Sequence, residues 1–205
     1  MKSSSAFRRE AEERLRREYI LLAAERVFGS RPFEEASMQQ IAKEAGIGMH
    51  GLYRLFPSKQ ELYEEIVLRR VNEIFERTRV ALAGASPTRR LHLLAVAHSQ
   101  FFLDHPQFFP MFVSRSLSRD WGFDTKLGKA FDQCMAVVDA QLAEAVAAAV
   151  KKGELRPLST QLLIAGIKGI FNSVIQLHLL REKPGDAETC AAEMVELFLR
   201  GAGKH

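Results

Sequence analysis

Helical periodicity constrains this chain more than any other feature of its sequence. Apolar residues recur every three or four positions in stretch after stretch, and no segment alternates apolar and polar residues as a half-buried strand would. The first stripe, formed by Ile20, Ala24, Val27 and Phe28, is typical of an amphipathic helix. The pattern therefore predicts an all-α protein of about nine helices.

Breaker residues divide the first part of the chain into short helices. Gly29 ends the first helix, Ser37 is placed to cap a second, and Gly46 turns the chain into a third over residues 49–56. Pro57 interrupts the pattern before a longer fourth helix begins. The sequence thus predicts a compact three-helix unit followed by one long connecting helix.

A change in composition near residue 84 predicts a second domain. Gly84 and Pro87 form a candidate linker, and beyond them aromatic and aliphatic residues become more frequent in longer helices. We expect an N-terminal domain over residues 1–60, a connecting helix over residues 61–83, and a second helical domain over residues 84–205.

Composition favours a folded protein of the cytoplasm. The chain is 47% hydrophobic and 26% charged, and we expect charged residues to interrupt every apolar stretch before membrane-spanning length. Residues 1–5 lead into charged residues rather than an apolar run, so no secretory signal is expected. Cys134 and Cys190 lie far apart, which fits a reducing compartment. Neither a membrane-spanning helix nor a disulfide is expected.

Patterns for catalysis and cofactor binding are missing from the sequence. It contains no nucleophile elbow, no phosphate-binding loop and no HExxH motif. Its histidines and cysteines do not form a compact set with metal-ligand spacing. We therefore expect a protein that is not an enzyme and that holds neither a metal nor a cofactor.

The segment over residues 37–59, SMQQIAKEAGIGMHGLYRLFPSK, has the residue types that two short crossed helices need. Ala42 is small enough for the helices to approach, and Gly46 supplies a left-handed backbone at the tight turn. The residues expected to face inward are Ile41, Ala45, Ile47, Leu52 and Leu55. The segment is predicted to form a helix-turn-helix.

This segment closely resembles the signature of the TetR family of transcriptional regulators, and the resemblance extends over about residues 18–66. The matching residues are Ile41-Ala42, Ala45-Gly46-Ile47, Leu52-Tyr53-Arg54-Leu55-Phe56 and Ser58-Lys59, preceded by Ala23-Ala24 and Val27-Phe28. The resemblance implies a ligand-responsive regulator that binds operator DNA as a homodimer. It further implies repression from a palindromic operator until a small apolar or aromatic effector releases the protein.

In this family the third helix lies in the major groove, which implies direct contact with DNA. Chemically, glutamine, histidine and methionine side chains suit adenine, guanine and the thymine methyl group. The implied readers are Gln39, Met49, His50 and Tyr53, and the implied phosphate contacts are Ser37, Tyr53, Arg54 and Lys59.

Four residues depart from the family's pattern. Gly48 stands where a capping Ser or Thr is usual, His50 replaces a small residue, Gly51 replaces the common Thr or Ala, and Pro32 stands where Gly is typical. A glycine inside a short helix costs up to about 1 kcal/mol relative to alanine. We expect the fold to tolerate these changes and the operator sequence to differ.

The start of the chain carries a run of arginines whose role the sequence leaves open. Arg8, Arg9, Arg14, Arg16 and Arg17 are interleaved with glutamates, and the net charge of +4 permits a polyanionic partner without requiring one. The run fits a solvated helix face and a phosphate-binding arm equally well.

Rings are unusually dense in the second half of the chain. In the family, the fifth to eighth helices surround an effector cavity, and such a cavity is apolar with a few polar anchors. The candidate contacts are His98, Phe101, Phe102, Phe109, Phe112, Trp121, Phe131, Asn172 and Gln176. For each ring taken alone, ordinary core filling is the better explanation.

The eighth helix carries an apolar seam that suits packing of one helix against another. With residues of the last helix, it resembles the family's four-helix dimer interface, although an intramolecular core explains the same spacing. The candidate interface residues are Leu163, Gly166, Ile170, Val174, Leu177, Met194, Leu197 and Phe198.

Two other classes of protein stay open at this point. One is a helical small-molecule-binding protein whose helix-turn-helix is structural only, which a fully covered third helix would support. The other is a helical enzyme, which a strongly perturbed acid or base inside the cavity would support.

Overall fold

A computed structural model describes residues 4–81, 85–117, 126–183 and 185–202. Its elements are helices, which confirms the all-α prediction. They are α1 (Ser4–Ser30), α2 (Met38–Glu44), α3 (Met49–Leu55), α4 (Lys59–Ala81), α5 (Pro87–Asp104), α6 (Phe108–Leu117), α7 (Lys126–Lys151), α8 (Thr160–Leu180) and α9 (Ala187–Ala202). A 3-10 turn (Phe33–Glu35) precedes α2.

One apolar core runs through helices on both sides of the expected linker. It takes in Ile20 from α1, Leu62 from α4, Phe102 from α5, Phe112 from α6 and Ile167 from α8. Helix α4 has 23 residues, a length of about 35 Å, and it packs against α1, α5 and α7. It therefore connects the N-terminal helices directly to the helices of the second half.

A buried ion pair holds α4 against α1. The Arg70 guanidinium donates from Nε and Nη2 to the Glu25 carboxylate over 2.8–3.2 Å, and the two side chains are 9% and 8% exposed. Burial alone would lower the pKa of Arg70, but pairing with Glu25 and then Glu73 outweighs burial and leaves that pKa raised. The Arg70 guanidinium therefore keeps its positive charge inside the protein.

Charged side chains extend this contact to the turn between α5 and α6. Glu73 accepts hydrogen bonds from Arg70 Nη1 and from His105 Nε2, each at 2.9 Å. Partial burial would raise the pKa of Glu73, but the bonds from His105 and Arg70 outweigh it and leave the pKa lowered. Arg77 joins Glu73 to Asp104 at the end of α5. The α5–α6 turn is thus attached to α4 by several ionic hydrogen bonds.

The end of α1 lies directly against the same turn. A Cβ atom at Gly29 would overlap the carbonyl oxygen of Gln107, so only glycine permits this approach. The sequence suggested that Gly29 ends the helix, but α1 continues to Ser30. The glycine at this position is therefore required by the close contact with Gln107.

Helix α8 exposes an unusual amount of apolar surface. By length and composition it could cross a membrane, since an 18-residue stretch of it has a mean hydropathy of 1.5. Only 33% of this stretch is buried inside the protein. No other helix within the described residues meets both criteria. Lys168 interrupts the apolar run of α8 near its middle and is its only Lys, Arg, Asp or Glu residue. The open side of α8 needs an apolar cover.

The buried ion pair leads to a stability prediction. Replacing Arg70 by alanine leaves the Glu25 carboxylate buried without a partner, and we expect the free energy of unfolding to fall by about 3–5 kcal/mol. The neighbouring Arg69 pairs with Glu18 at the surface, so Arg69→Ala should cost at most about 1 kcal/mol. Urea unfolding of both variants measures the difference, and equal losses would contradict a special role for Arg70.

Candidate functional site

The turn between α2 and α3 is built by hydrogen bonds that the sequence specifies. Gly46 has a φ of 65°, which is the left-handed backbone expected there. Its N–H donates to Lys43 O at 3.2 Å, and the N–H of Ile47 donates to Ala42 O at 3.0 Å. These two bonds form a Schellman motif that ends α2 and sets the start of α3. The predicted helix-turn-helix is present.

Helix α3 presents its polar side chains to solvent. His50 and Arg54 are exposed, and Tyr53 is 47% exposed, while Leu52 is fully buried beneath them. Gln39, on α2, is exposed as well. Four of the predicted DNA contacts are thus available to a partner molecule.

The other three predicted DNA contacts are engaged within the protein. Met49 is half-buried and packs against the core. Ser37 Oγ accepts from the N–H of Gln40 at 3.3 Å, while Gln40 Oε1 accepts from the N–H of Ser37 at 2.9 Å. This reciprocal capping box fixes the start of α2. The hydroxyl of Ser37 therefore already has a structural role.

Lys59 is the third of these residues, and its ammonium points inward. It donates to Phe33 O at 2.7 Å and to Ala36 O at 2.8 Å, and it lies 4.3 Å from the centre of the Phe33 ring. These contacts satisfy carbonyls of the 3-10 turn before α2. The arrangement favours a structural role for Lys59 in attaching that turn to α4.

Arg17 holds α3 from behind, a role that sequence reasoning missed. Its Nη1 donates to Leu55 O, the last carbonyl of α3, at 3.0 Å, and its Nε donates to Glu65 of α4 at 3.0 Å. The guanidinium also lies 4.2 Å from the centre of the Phe56 ring. A basic side chain among several on α1 carries no local signal that it reaches a carbonyl 38 residues away.

Two of the four departures from the family's pattern lie on open backbone. A Cβ at Gly48 or Gly51 would meet no atom within 4 Å, so packing does not require glycine at either position. Nothing in the structure explains the choice of Gly51. Gly48 caps α3 without any side-chain hydrogen bond, which costs only a few tenths of a kcal/mol.

The described rings of α5 and α6 pack against one another. Phe102 lies 5.0 Å from Phe101, 5.2 Å from Phe109 and 5.1 Å from Phe112, measured between ring centres, and all four are buried. Distances of this size are those of closely packed aromatic pairs. Trp121 and the side chain of Phe131 lie outside the described residues. The four described rings therefore form one wall of the interior.

His98 lies at the edge of this ring cluster with an unused polar atom. Its ring is 5.9 Å from Phe102 and 6.1 Å from Phe171 of α8, and its buried Nδ1 has no hydrogen-bond partner within the described residues. Burial, and then the nearby positive charge of Lys168, lower the pKa of His98 to about 4. At neutral pH the imidazole is therefore uncharged and can still bind a polar group.

Polar residues of α7 and α8 surround this point. Lys168 Nζ pairs with Asp139 Oδ1 at 2.5 Å, and both side chains are 41% exposed. Asn172 is half-buried one turn after Lys168, whereas Gln176 is exposed on the outer side of α8. The predicted anchor Asn172 is thus partly enclosed, whereas the predicted anchor Gln176 lies at the surface.

The predicted interface residues divide into two groups. Leu163, Val174, Met194 and Phe198 are buried in the protomer's own core, and Ile170 is half-buried. Gly166 is exposed, as are Leu177 (52%) and Leu197 (56%). The open side of α8 also contains Leu162, Gly169, Ser173 and Leu180. Sequence periodicity identified the apolar helix but not the side that stays uncovered.

No cluster of three or more His, Cys, Asp or Glu side chains with metal-binding geometry occurs in the described part of the chain.

Comparison with known protein families gives one match, over residues 20–66, to the bacterial regulatory proteins of the tetR family. That stretch contains the capping box, the Schellman turn and the exposed helix α3. The family model thus matches the part of the chain that forms the helix-turn-helix.

Two curated relatives of this chain carry names of opposite regulatory sign. The transcriptional activator FasR of Mycolicibacterium smegmatis is 36% identical over 90 residues, which cover 44% of this chain and 41% of FasR. The transcriptional repressor KstR of Mycobacterium tuberculosis is 28% identical over 137 residues, which cover 66% of this chain and 60% of KstR. The chain therefore spans about two fifths to three fifths of these relatives.

The tetR-type fold is also that of a solved structure, the ketosteroid transcriptional regulator KstR2 of Mycobacterium tuberculosis. The two folds agree with a TM-score of 0.80 over 93% of this chain and 96% of KstR2, at 21% sequence identity. The agreement extends the likeness beyond the helix-turn-helix to the order and packing of the remaining helices.

The neutral state of His98 predicts a pH dependence of stability. Unfolding returns the pKa of His98 from about 4 to its ordinary value of 6.5, so the unfolded chain binds a proton first as the pH falls. Through this group the protein should lose about 2 kcal/mol of stability between pH 7 and pH 5. Urea unfolding of the wild type and His98→Leu at both pH values isolates this contribution. A wild-type loss no larger than that of the variant would contradict it.

Proposed function

We propose that this chain is a ligand-responsive transcriptional regulator that represses from a palindromic operator as a homodimer. The observation that carries the proposal is the exposure of His50, Tyr53 and Arg54 on a short helix that is fixed from behind. A rigid helix with exposed polar side chains can enter a major groove. The regulatory names of FasR and KstR support the same function. KstR is named a repressor and FasR an activator, and the match to KstR covers more of this chain. The names therefore favour repression over activation.

In this proposal the side chains of α2 and α3 have separate tasks. Arg54 and Tyr53 bind phosphates and set the register, whereas His50 and Gln39 read base edges. Lys59 and Ser37 act indirectly, by holding the 3-10 turn and the start of α2 in place. An exposed α3 counts against the alternative of a small-molecule-binding protein whose helix-turn-helix is structural only.

The proposed effector is a small apolar or aromatic molecule that binds beside His98. The Phe102 and Phe171 rings supply apolar contacts, and the unpartnered Nδ1 supplies one hydrogen bond. Asn172, which follows Phe171 on α8 and is half-buried, is the proposed second polar contact. The ketosteroid in the name of KstR2, a rigid apolar molecule with polar ends, has this combination of groups. An apolar wall with few polar atoms selects such molecules.

Effector binding would reach the DNA-binding helices through α4. His98 lies on α5, and α5 ends at the turn that Glu73 and Arg77 attach to α4. Arg70 of α4 in turn holds α1 through Glu25. An effector that prefers a different position of α5 would move this ionic contact and change the spacing of the two reading helices.

The open side of α8 is the proposed interface between two copies of the chain. Leu162, Leu177 and Leu180 are between 52% and 77% exposed there, and Gly166 and Gly169 let a second backbone approach closely. A two-fold partner covers the same strip on both copies, and two copies present two copies of α3 to a palindrome.

A DNA-binding assay tests the proposed function. The wild type should bind a duplex from the region upstream of its own gene, with affinity that falls steeply as salt rises. Arg54→Ala should weaken binding to all sequences and lower the salt slope by about two, because the dimer loses one phosphate contact from each copy. His50→Ala should instead change the preferred base, by about 1–3 kcal/mol at that position.

Arg200→Ala, at the exposed end of α9, is the matched control for loss of one arginine. It should bind like the wild type. Binding that is absent, or that does not depend on salt, would refute the regulator proposal. A loss of affinity shared equally by Arg54→Ala and Arg200→Ala would refute the placement of α3 in the groove.

The proposed dimer is tested by charge on the open side of α8. The double change Leu177→Glu and Leu180→Glu places two carboxylates in the interface, where unpaired charges cost several kcal/mol. We expect the dimer dissociation constant to rise by at least about a hundredfold, measured by analytical ultracentrifugation. Val80→Glu, at an apolar residue that is 67% exposed on α4, is the control. Dimers that survive the double change would place the interface elsewhere.

A further inference from the structure

Helix α1 extends well beyond the core of the protein. None of the described side chains from Ala6 to Tyr19 is buried, and the first buried residue is Ile20. Residues 4–16 thus form a projecting segment about 20 Å long. Isolated helices of this length gain little stability without a contact partner. The segment is therefore expected to meet another surface.

The projecting segment and the reading helix form one cleft. This cleft, of about 530 Å³, is lined by Arg9, Glu12, Glu13 and Arg16 from α1 and by Arg54 from α3. Arg9 and Arg16 are seven residues apart, which places them on the same side of α1, two turns from each other. Both are exposed, as is Arg54. Three guanidinium groups therefore share one open surface.

The other arginines of α1 have different positions. Arg17 donates to Leu55 O and Glu65, and Arg26 donates to Glu44 at the surface, so both are engaged with the helix-turn-helix or with α4. Arg8 and Arg14 are exposed but do not line the cleft. The arginine run thus separates into supporting residues, residues on other sides of the helix, and the pair that faces Arg54.

We propose that Arg9 and Arg16 bind backbone phosphates of duplex DNA next to the bases that α3 reads. This inference rests on the proposed function, because Arg54 must lie at the DNA for the cleft to face it. Guanidinium groups bind phosphate oxygens in a bidentate manner, and two such groups on one helix side follow the duplex backbone. The pair extends the interface beyond the operator core.

Glu12 and Glu13 determine how selective this contact is. At helical spacing Glu12 neighbours Arg16 and Glu13 neighbours Arg9, so the carboxylates orient the guanidinium groups and reduce the positive field of the cleft. Long-range attraction to any polyanion is correspondingly weak. The two arginines therefore bind phosphate only once α3 has entered the groove and brought them within reach.

The test uses the full-length chain and two operator duplexes, one with flanks of about six base pairs on each side and one trimmed to the core. The double variant Arg9→Gln and Arg16→Gln should bind the long duplex about tenfold more weakly near 0.2 M salt, with a salt slope lower by about four, because the dimer loses two phosphate contacts from each copy. On the trimmed duplex the variant and the wild type should bind alike. Thermal unfolding checks that both proteins have the same stability.

Arg8→Gln with Arg14→Gln is the matched control, since it removes the same charge from the same helix. It should bind both duplexes like the wild type. Equal affinity and salt slope for wild type and Arg9/Arg16 variant on the long duplex would overturn the inference while leaving the regulator proposal standing. Equal losses of affinity in both double variants would show a general effect of net charge. That result would also overturn the inference. A wild type that binds neither duplex would overturn both.

Discussion

The pairing of Arg70 with Glu25 is the contact on which the arrangement of the two halves depends. Removing two charged groups from water costs several kcal/mol each, and the pair recovers this only with good geometry and further hydrogen bonds. Glu73 and His105 supply these further bonds. An ionic contact of this kind has few acceptable geometries, whereas an apolar contact in its place would tolerate gradual sliding. The joint between α1, α4 and α5 therefore favours discrete positions.

The helix-turn-helix is held from behind by residues that use their charge inside the protein. Arg17 binds the final carbonyl of α3, and Lys59 binds carbonyls of the turn before α2. Because these contacts hold the helices from behind, the exposed side chains on the outer side of α3 are not needed to hold the helix in place. His50 and Arg54 can therefore be replaced without disturbing the scaffold, which separates the stability of the unit from the chemistry of its outer surface.

The sequence predicted those parts of the structure that local signals decide. The cap at Ser37, the turn at Gly46 and the apolar stripe of α2 and α3 all predict the same helix-turn-helix. Each of these signals depends on atoms only a few residues apart. Contacts such as Arg17 with Leu55 or Lys59 with Phe33 join residues 38 and 26 positions apart. Helical periodicity reports which residues share a side of a helix, but it does not report which neighbour covers that side. For the same reason Leu163 and Leu177, alike in the sequence, have opposite positions in the structure.

The close approach of Gly29 to Gln107 has a mechanical consequence. With no side chain between them, the backbone at the end of α1 lies against the backbone of the α5–α6 turn, and movement of one is transmitted without the slack of a flexible side chain. A single methyl group at position 29 would act as a spacer and set a new angle between α1 and α5. The angle between the helix-turn-helix and the second half of the chain thus depends on a residue that lies outside both proposed binding surfaces.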